Sequence, residues 1–380
     1  MDFELTKEQE FVRKMVREFA EKEVEPIAAE IDKEHRFPEE NVKLMARYGM
    51  LGIPFPKEFS GAGGDNLSYA ITVEELSRVC ATTGVICSAH TSLCSWPIFN
   101  FGTAEQKEKY LHDLNTGKKL GAFGLTEPNA GTDAAGQQTT AKDMGDHWLL
   151  NGSKIFITNG GCAETFVVMA MTDKSKKTRG ISAFIVEKDF EGFSIGKIED
   201  KMGICGSSTA ELVFQNVKLP KENILGKPGD GFKVAMATLD GGRIGIGAQA
   251  LGIAQGAFDV TLDYMKARKQ FGRRLADFDT LRFEMAAMAT RIEAARLLLY
   301  KAAVLKDQHK PYAKNAAMAK YYASEAAMDI TTKCVQFHGG YGYTKDYPVE
   351  RMMRDAKITE IYEGTTEAQK LVIAGAVFGR

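Results

Sequence analysis

The sequence predicts an α+β chain in three parts: an N-terminal helical domain over 1–120, a middle antiparallel β-barrel domain over 121–226 and a C-terminal four-helix bundle over 227–380. Three observations carry this reading. Apolar residues recur at helical spacing towards both ends of the chain, whereas short β-branched and aromatic runs occupy the middle. At 380 residues the chain exceeds what one simple core holds, so two or three domains are expected. The C-terminal segments are long, rich in Ala, Met and Leu, and joined by short connections, a pattern that suits antiparallel helix packing.

Each element has its own signal. Thr6 and Gln9 form a capping box, and Phe11, Met15, Val16, Phe19 and Ala20 follow at helical spacing. Further helices fall around 40–50, 68–81, 83–100 and 104–115, with a loop at 59–65. Trp148-Leu149-Leu150, the pair Asn151-Gly152 and then Lys154 to Thr158 read as a hairpin with a type I′ turn. Short strands at 165–171, 181–186 and 211–214 have the spacing of a small antiparallel barrel or sandwich. Helices return over 231–268, 279–307, 313–338 and 366–377, with Thr366 and Gln369 reading as the last capping box.

Composition excludes several function classes. The net charge of −1, with no basic block, gives no reason to expect a nucleic-acid partner. No apolar run approaches the roughly 20 residues that span a bilayer, so no membrane partner is expected. Met1 to Glu4 carry early acids without a signal-peptide core or Arg-rich presequence, and the expectation is a cytoplasmic protein in mature form. The six cysteines form no CxxC pair; Cys80, Cys87 and Cys94 are spaced by seven and read as core thiols. The dispersed histidines contain no HExxH, and no metal site is expected. Gly245 to Ala250 formally fits the GxGxxA dinucleotide fingerprint, but they fall inside an expected helix rather than after a strand. Small residues that let helices approach closely explain them, so a nicotinamide-binding domain is not expected.

Four segments can carry chemistry. Glu363, between Tyr362 and Gly364, lies just before a helix start, where the helix dipole favours its charge and burial beside Tyr362 raises its pKa. It reads either as an ordinary loop carboxylate or as a general base for a difficult proton abstraction. Gly124 and Gly131 with Thr126 and Thr132 make either a polar turn or a set of donors for an anion. Strand alternation puts Phe156 and Thr158 on one face, as core Phe and solvated Thr or as a wall and hydrogen-bond partner for a flat cofactor. Arg268 to Gly272 close a long helix, either as a basic surface terminus or as a phosphate contact.

Arg354-Asp355-Ala356-Lys357-Ile358 with Ile361-Tyr362-Glu363-Gly364-Thr365 resembles the catalytic-base signature of acyl-CoA dehydrogenases. Similar family patterns run in order from Leu5 to the last residues, and resemblance in detail is to the short-chain type, the bacterial butyryl-CoA dehydrogenases, over 121–136 and 339–343. The family fold is helical domain, β-domain and four-helix bundle. The resemblance implies FAD-dependent α,β-dehydrogenation of a short-chain acyl-CoA, butyryl-CoA to crotonyl-CoA or the reverse. Glu363 would take the α-proton while a hydride leaves the β-carbon for flavin N5, and the Glu363 N–H with a ribityl hydroxyl would stabilise the enolate. Electrons would be exchanged with an electron-transferring flavoprotein, which in bacterial relatives that run in reverse bifurcates electrons.

The same resemblance assigns roles residue by residue. Phe123, Leu125, Thr126 and Thr132 would form the flavin loop, with Thr126 at the pyrimidine edge and Thr132 near the pyrophosphate and the acyl-CoA. Phe156, Ile157 and Thr158 would lie against the flavin; many relatives carry Trp at the place of Phe156. Arg268 would reach the pyrophosphate of FAD in a neighbouring subunit, with Phe271 near the adenosine and Gln336, Phe337, His338, Gly339 and Gly340 as the matching loop, His338 serving packing rather than catalysis. Thr365 and Glu367 complete the cofactor set. A cofactor that bridges subunits implies an oligomer, in the family form a homotetramer built as a dimer of dimers. Asp279 departs from the pattern: relatives usually carry Gln there and often another at Arg282, so Asp279 either repels the pyrophosphate or is compensated by Arg282. Asp240, Arg243, Tyr362, Gly364 and Thr132 would bind substrate. A subgroup carries its catalytic Glu at the place of Gly242, which leaves Glu363 as the candidate base here. An acyl-CoA oxidase and a non-catalytic flavin-binding scaffold remain as alternatives.

Overall fold

The computed structural model describes residues 4–379. Helix α1 (Lys7–Phe19) starts at the expected box: Thr6 Oγ1 accepts from the Gln9 N–H at 3.2 Å, and Gln9 Oε1 accepts from the Thr6 N–H at 3.0 Å. A π-helical turn over Ala20–Val24 runs on into α2 (Glu25–Glu34), and α3 (Glu39–Arg47) follows. Helix α4 (Asn66–Val79) packs between α1 and the long bundle helix, which explains why polar Thr72, Glu74 and Glu75 are buried in it. The helix expected over 83–100 is α5 (Ala81–Ala89), a π-helical turn at His90–Ser95 and α6 (Trp96–Phe101). Such turns inside α-helices often mark functional sites. A second capping box, Thr103 with Gln106, starts α7 (Ala104–Asn115).

The middle β-domain holds β1 (Gly121–Gly124), β2 (Thr140–Asp143), β3 (His147–Ile157), β4 (Thr165–Met171), β5 (Ile181–Glu187), β6 (Phe193–Ile198), β7 (Ala210–Pro220) and β8 (Ile224–Leu225). Their order is β6-β7-β3-β2-β4-β5-β8, with β1 on β4. Most pairs are antiparallel, but β1 and β2 both run parallel to β4. The hairpin turn expected at Asn151-Gly152 is absent, because β3 runs straight through it. Those residues instead form a bulge, where the register against β7 shifts between Leu150 and Gly152. Gly152 has φ 137°, and a Cβ there would stand 2.6 Å from Thr139 Oγ1, so the glycine serves close approach rather than a turn.

Helix α8 (Gly231–Ala267) is the axis of the molecule, packed on α4, α5 and the later helices. Its small residues do what the sequence suggested: a Cβ on Gly256 would lie 1.9 Å from the Arg78 carbonyl oxygen, so only glycine lets α8 reach the end of α4. After α8 comes a hairpin that no turn dipeptide announced, β9 (Lys269–Gln270) and β10 (Arg273–Arg274). Its Phe271-Gly272 loop has positive φ at both residues, 54° and 78°, as a type I′ turn requires. The bundle continues with α9 (Asp279–Asp307), α10 (Ala313–His338), an additional α11 (Val349–Thr359) and α12 (Thr366–Phe378). The cap of α12 is Thr365, not Thr366. Thr365 holds an extended ψ and its Oγ1 accepts from the Ala368 N–H at 3.3 Å, whereas Thr366 is already helical and Gln369 points elsewhere. No described helix is long and apolar enough to cross a membrane.

Candidate active site

Glu363 sits in the turn between α11 and α12. The Tyr362 N–H closes the α11 end on the Ile358 carbonyl at 3.1 Å, and the Thr366 N–H bonds the Glu360 carbonyl at 2.9 Å. Between them the chain passes through two left-handed residues, Glu363 at φ 52° and Gly364 at φ 92°. For a glutamate that conformation costs about 1–2 kcal/mol, so neighbouring contacts must hold it. The Gln369 Nε2 donates to the Glu363 and Gly364 carbonyls at 3.2 and 2.8 Å, and Lys320 Nζ donates to the Gly364 carbonyl at 2.7 Å. Among the described residues no carbonyl accepts from the Glu363 N–H.

The carboxylate lies over α8. A Cβ built on Gly242 would stand 2.0 Å from Glu363 Oε2 and 2.9 Å from Leu93 Cδ2 of the π-helical turn. The residue as a whole is half-buried, but Oε2 is fully covered and has no hydrogen-bond partner. Burial therefore dominates and raises the pKa to about 7, against the opposing pull of the Lys320 and Arg243 cations. The group titrates near neutrality and has no hydrogen bond to give up before it takes a proton.

Helix α8 also supplies Asp240 and Arg243, one helical turn apart and ion-paired, with the Arg243 Nε buried and unpartnered. Burial raises the Asp240 pKa, and Arg243 opposes it. Beside Gly241 stand Tyr312 and Lys306, whose ammonium lies 4.9 Å from the Trp96 ring centroid and whose pKa burial lowers to about 8. The Tyr362 hydroxyl donates to Gln249 Oε1, and Tyr69 bonds Ser88; burial, then the Glu363 charge, raises the Tyr362 pKa. Thus the structure brings Glu363, Tyr362, Gly364, Asp240 and Arg243 together. Sequence reasoning missed Lys306, Lys320, Gln249, Tyr312 and Leu93, because single residues outside any motif carry no spacing signal.

A second group surrounds the loop after β1. The Phe123, Leu125 and Ile157 side chains are buried in the core, and the Ile157 carbonyl accepts from the Gly160 N–H at 2.9 Å. The Thr126 carbonyl accepts from the Ile155 N–H at 2.9 Å, which fixes the loop to β3. Lys154, wholly buried, donates to the Leu125 carbonyl at 3.1 Å, to Glu127 Oε1 at 2.6 Å and to Gln137 Oε1 at 3.1 Å. Phe156 is 60 % exposed, but not through regular alternation: it has φ 58° within a second bulge between Lys154 and Ile157. Thr158 is half-buried and Thr132 exposed.

The third group lines a groove of about 510 Å³ formed by Arg268, Gln336, Phe337, His338, Gly339 and Gly340 with neighbouring residues. Within it the His338 imidazole bonds the Cys334 carbonyl at 2.8 Å and stacks on Tyr264 at 4.2 Å, a packing position. Phe271 is 94 % exposed at the hairpin tip. Asp279, at the exposed start of α9, pairs with Arg282 at 3.1 Å. Thr365 uses its hydroxyl as the α12 cap, and Glu367 is exposed in the first turn. No hydrogen bond or ion pair among the described residues joins this groove to Glu363. Nor do those residues contain a cluster of three or more potential metal ligands.

Profiles of the N-terminal, middle and C-terminal domains of acyl-CoA dehydrogenases match residues 6–118, 122–217 and 229–378. The chain belongs to the acyl-CoA dehydrogenase family. It is 67 % identical over 378 residues to the short-chain specific acyl-CoA dehydrogenase of Clostridium acetobutylicum, covering 100 % of both chains. Butyryl-CoA dehydrogenase from Megasphaera elsdenii superimposes with a TM-score of 0.98 at 53 % identity, again over 100 % of each chain. A chain from a structural study of the electron transferring flavoprotein of Acidaminococcus fermentans and flavin-based electron bifurcation gives 0.99 at 57 % identity, also with 100 % coverage of both. This acyl-CoA dehydrogenase is accordingly an oxidoreductase of a flavoprotein family.

Proposed function

We propose that this enzyme is an FAD-dependent short-chain acyl-CoA dehydrogenase that interconverts butyryl-CoA and crotonyl-CoA, with Glu363 as its base. The observation that carries the reading is the Glu363 carboxylate: its Oε2 is covered and unpartnered, it presses over Gly242, and burial raises its pKa to about 7. A thioester α-proton is weakly acidic, and a dry base with a pKa near the working pH is suited to remove it. The uncommitted Glu363 N–H can donate to the thioester oxygen as negative charge develops there. Asp240, Arg243, Tyr362, Gly364 and Thr132 would surround the acyl-CoA.

The residues present fit FAD. Gly339 and Gly340 face open space, with no atom within 4 Å of an added Cβ, and Arg268 turns a cation to the same groove. Phe156 offers an exposed ring beside Thr158. We infer that Thr126, Thr132, Phe156 and Thr158, with the main chains of Phe123, Leu125 and Ile157, hold the cofactor of their own subunit, while Thr365 and Glu367 complete the set. Arg268, Phe271, Asp279, Gln336, Phe337, Gly339 and Gly340 would serve a neighbouring subunit, which requires an oligomer, in the family form a homotetramer built as a dimer of dimers. The Arg282 pair supports a compensated Asp279. When bound, FAD supplies the hydride acceptor. Exchange of electrons with an electron-transferring flavoprotein is supported by the Acidaminococcus study to which a near-superimposable chain belongs. The test is an anaerobic titration of the yellow protein with butyryl-CoA. Bleaching of the visible flavin band is expected; a full flavin complement that does not bleach refutes the reading, and peroxide formed in air at the rate of turnover replaces it with an oxidase.

A further inference from the structure

We propose that Lys320 and Gln369 act as a two-point clamp that positions the Glu363 base, Lys320 adding its positive charge to the site and Gln369 only its hydrogen bonds. The inference rests on the reading of Glu363 as base. Lys320 projects from the Ala-rich helix α10 and is 0 % exposed. A buried ammonium is costly unless satisfied, and lysines buried for structure usually meet a carboxylate. This one donates instead to a backbone carbonyl, that of Gly364, at 2.7 Å, and among the described residues forms no ion pair within 4.0 Å. Gln369, on the first turn of α12 and equally buried, sends its Nε2 to the Glu363 and Gly364 carbonyls at 3.2 and 2.8 Å. Three hydrogen bonds from two helices therefore hold the two peptide planes on which the left-handed turn depends.

The clamp is fitted to that turn. A Cβ on Gly364 would meet Gln369 Nε2 at 2.8 Å, so the amide is packed directly against the backbone it holds. The turn in turn aims the Glu363 carboxylate at Gly242. The charged groups that face Lys320 are Glu363 and Glu360 in the turn, Glu367 on α12 and Arg243 on α8, with Glu363 the strongest attraction. Arg243 is engaged by Asp240, and Glu360 by Lys357 at 2.7 Å. Lys320 is thus the cation on α10 whose field reaches the base while its own hydrogen bond fixes the base's backbone.

The two members make separable predictions. In the FAD-loaded enzyme, Lys320→Met and Gln369→Leu are compared with wild type by kcat and KM for butyryl-CoA over a range of pH, normalised to bound FAD. Both variants are expected to lose kcat by about 10²-fold, the effect of misplacing a catalytic group by about 1 Å. KM should stay within about 3-fold, because substrate binding is untouched. Lys320→Met should also move the acid limb of the kcat profile to higher pH, since the base loses a neighbouring cation, while Gln369→Leu leaves that limb in place. Wild-type kcat per bound FAD in both variants overturns the clamp, as does a rise in KM alone; a fall in FAD content and thermal midpoint with normal kcat per FAD marks a merely structural role and overturns it equally. Should Lys320→Met fail to fold, Gln369→Leu decides by its kcat. A wild-type enzyme whose flavin butyryl-CoA does not bleach fails the base reading itself, whereas an active wild type with unaffected variants fails only the clamp.

Discussion

Gly242→Ala is the smallest change that reaches the Glu363 carboxylate without touching it. The new Cβ would stand 2.0 Å from Oε2, 3.0 Å from Cδ and 2.9 Å from Leu93 Cδ2. Carbon and oxygen do not approach closer than about 3.2 Å without strain, so the carboxylate must retreat by more than about 1 Å. Misplacement on that scale costs about 10²-fold in rate, or about 2.7 kcal/mol of barrier at 1.36 kcal/mol per tenfold. Folding should suffer little. One extra methyl in a packed site costs about 1–3 kcal/mol, and Ala for Gly within a helix returns about 1 kcal/mol. The assay is kcat and KM for butyryl-CoA with the flavin content and thermal midpoint recorded alongside. A variant that keeps its FAD and midpoint but loses kcat by about 10²-fold is the expected result. Unchanged kcat would refute the placement of the carboxylate over α8.

Burial of Glu363 sets the pH dependence: the acid limb of kcat/KM should fall near pH 7, and a limb near 4.5 would show that the carboxyl is not desolvated. Because the folded-state pKa lies above the unfolded one, the stability linked to this group is full below about 4.5 and is lost as pH rises through about 7. Glu363→Gln should therefore flatten the fall of the thermal midpoint across that window, and an unchanged slope would contradict the linkage. Lys154→Met leaves the Glu127 carboxylate buried without its cation and should cost about 3–5 kcal/mol in urea unfolding, with weaker FAD retention; a loss under about 1 kcal/mol would mean that the pair does not hold the loop. Asp355→Ala removes the acceptor of the buried Ile204 N–H, which ties α11 to the β-domain. It should destabilise by about 1–3 kcal/mol in the same assay, and a neutral result would discount that joint.

The parts of the fold that were legible in the sequence are those fixed by local chemistry. The Thr6–Gln9 box and the uninterrupted helical spacing over 279–307 and 313–338 place α1, α9 and α10 without tertiary information. Asn151-Gly152 misled because the same pair suits a tight turn and a bulge, and only pairing of β3 with β7 selects the bulge. The Phe271-Gly272 turn was hidden because Phe rarely takes positive φ. At the site, motif resemblance located Glu363 and Arg243 but not what holds them. Lys320 and Lys306 belong to no motif, and their burial arises only when α8, α9 and α10 close around them. Phe123 and Leu125 showed the reverse: named from the flavin loop, they keep their side chains in the core.

The role of Glu363 is tested most directly by stopped-flow reduction of the bound flavin by butyryl-CoA, in wild type and in Glu363→Gln, both FAD-loaded and free of oxygen. The amide keeps the size of the side chain and cannot accept the α-proton. If Glu363 is the base, the variant binds FAD and butyryl-CoA as wild type does and reduces its flavin slower by at least about 10²–10⁴-fold, the usual share of a general base. Reduction at near-wild-type rate would remove Glu363 from that role.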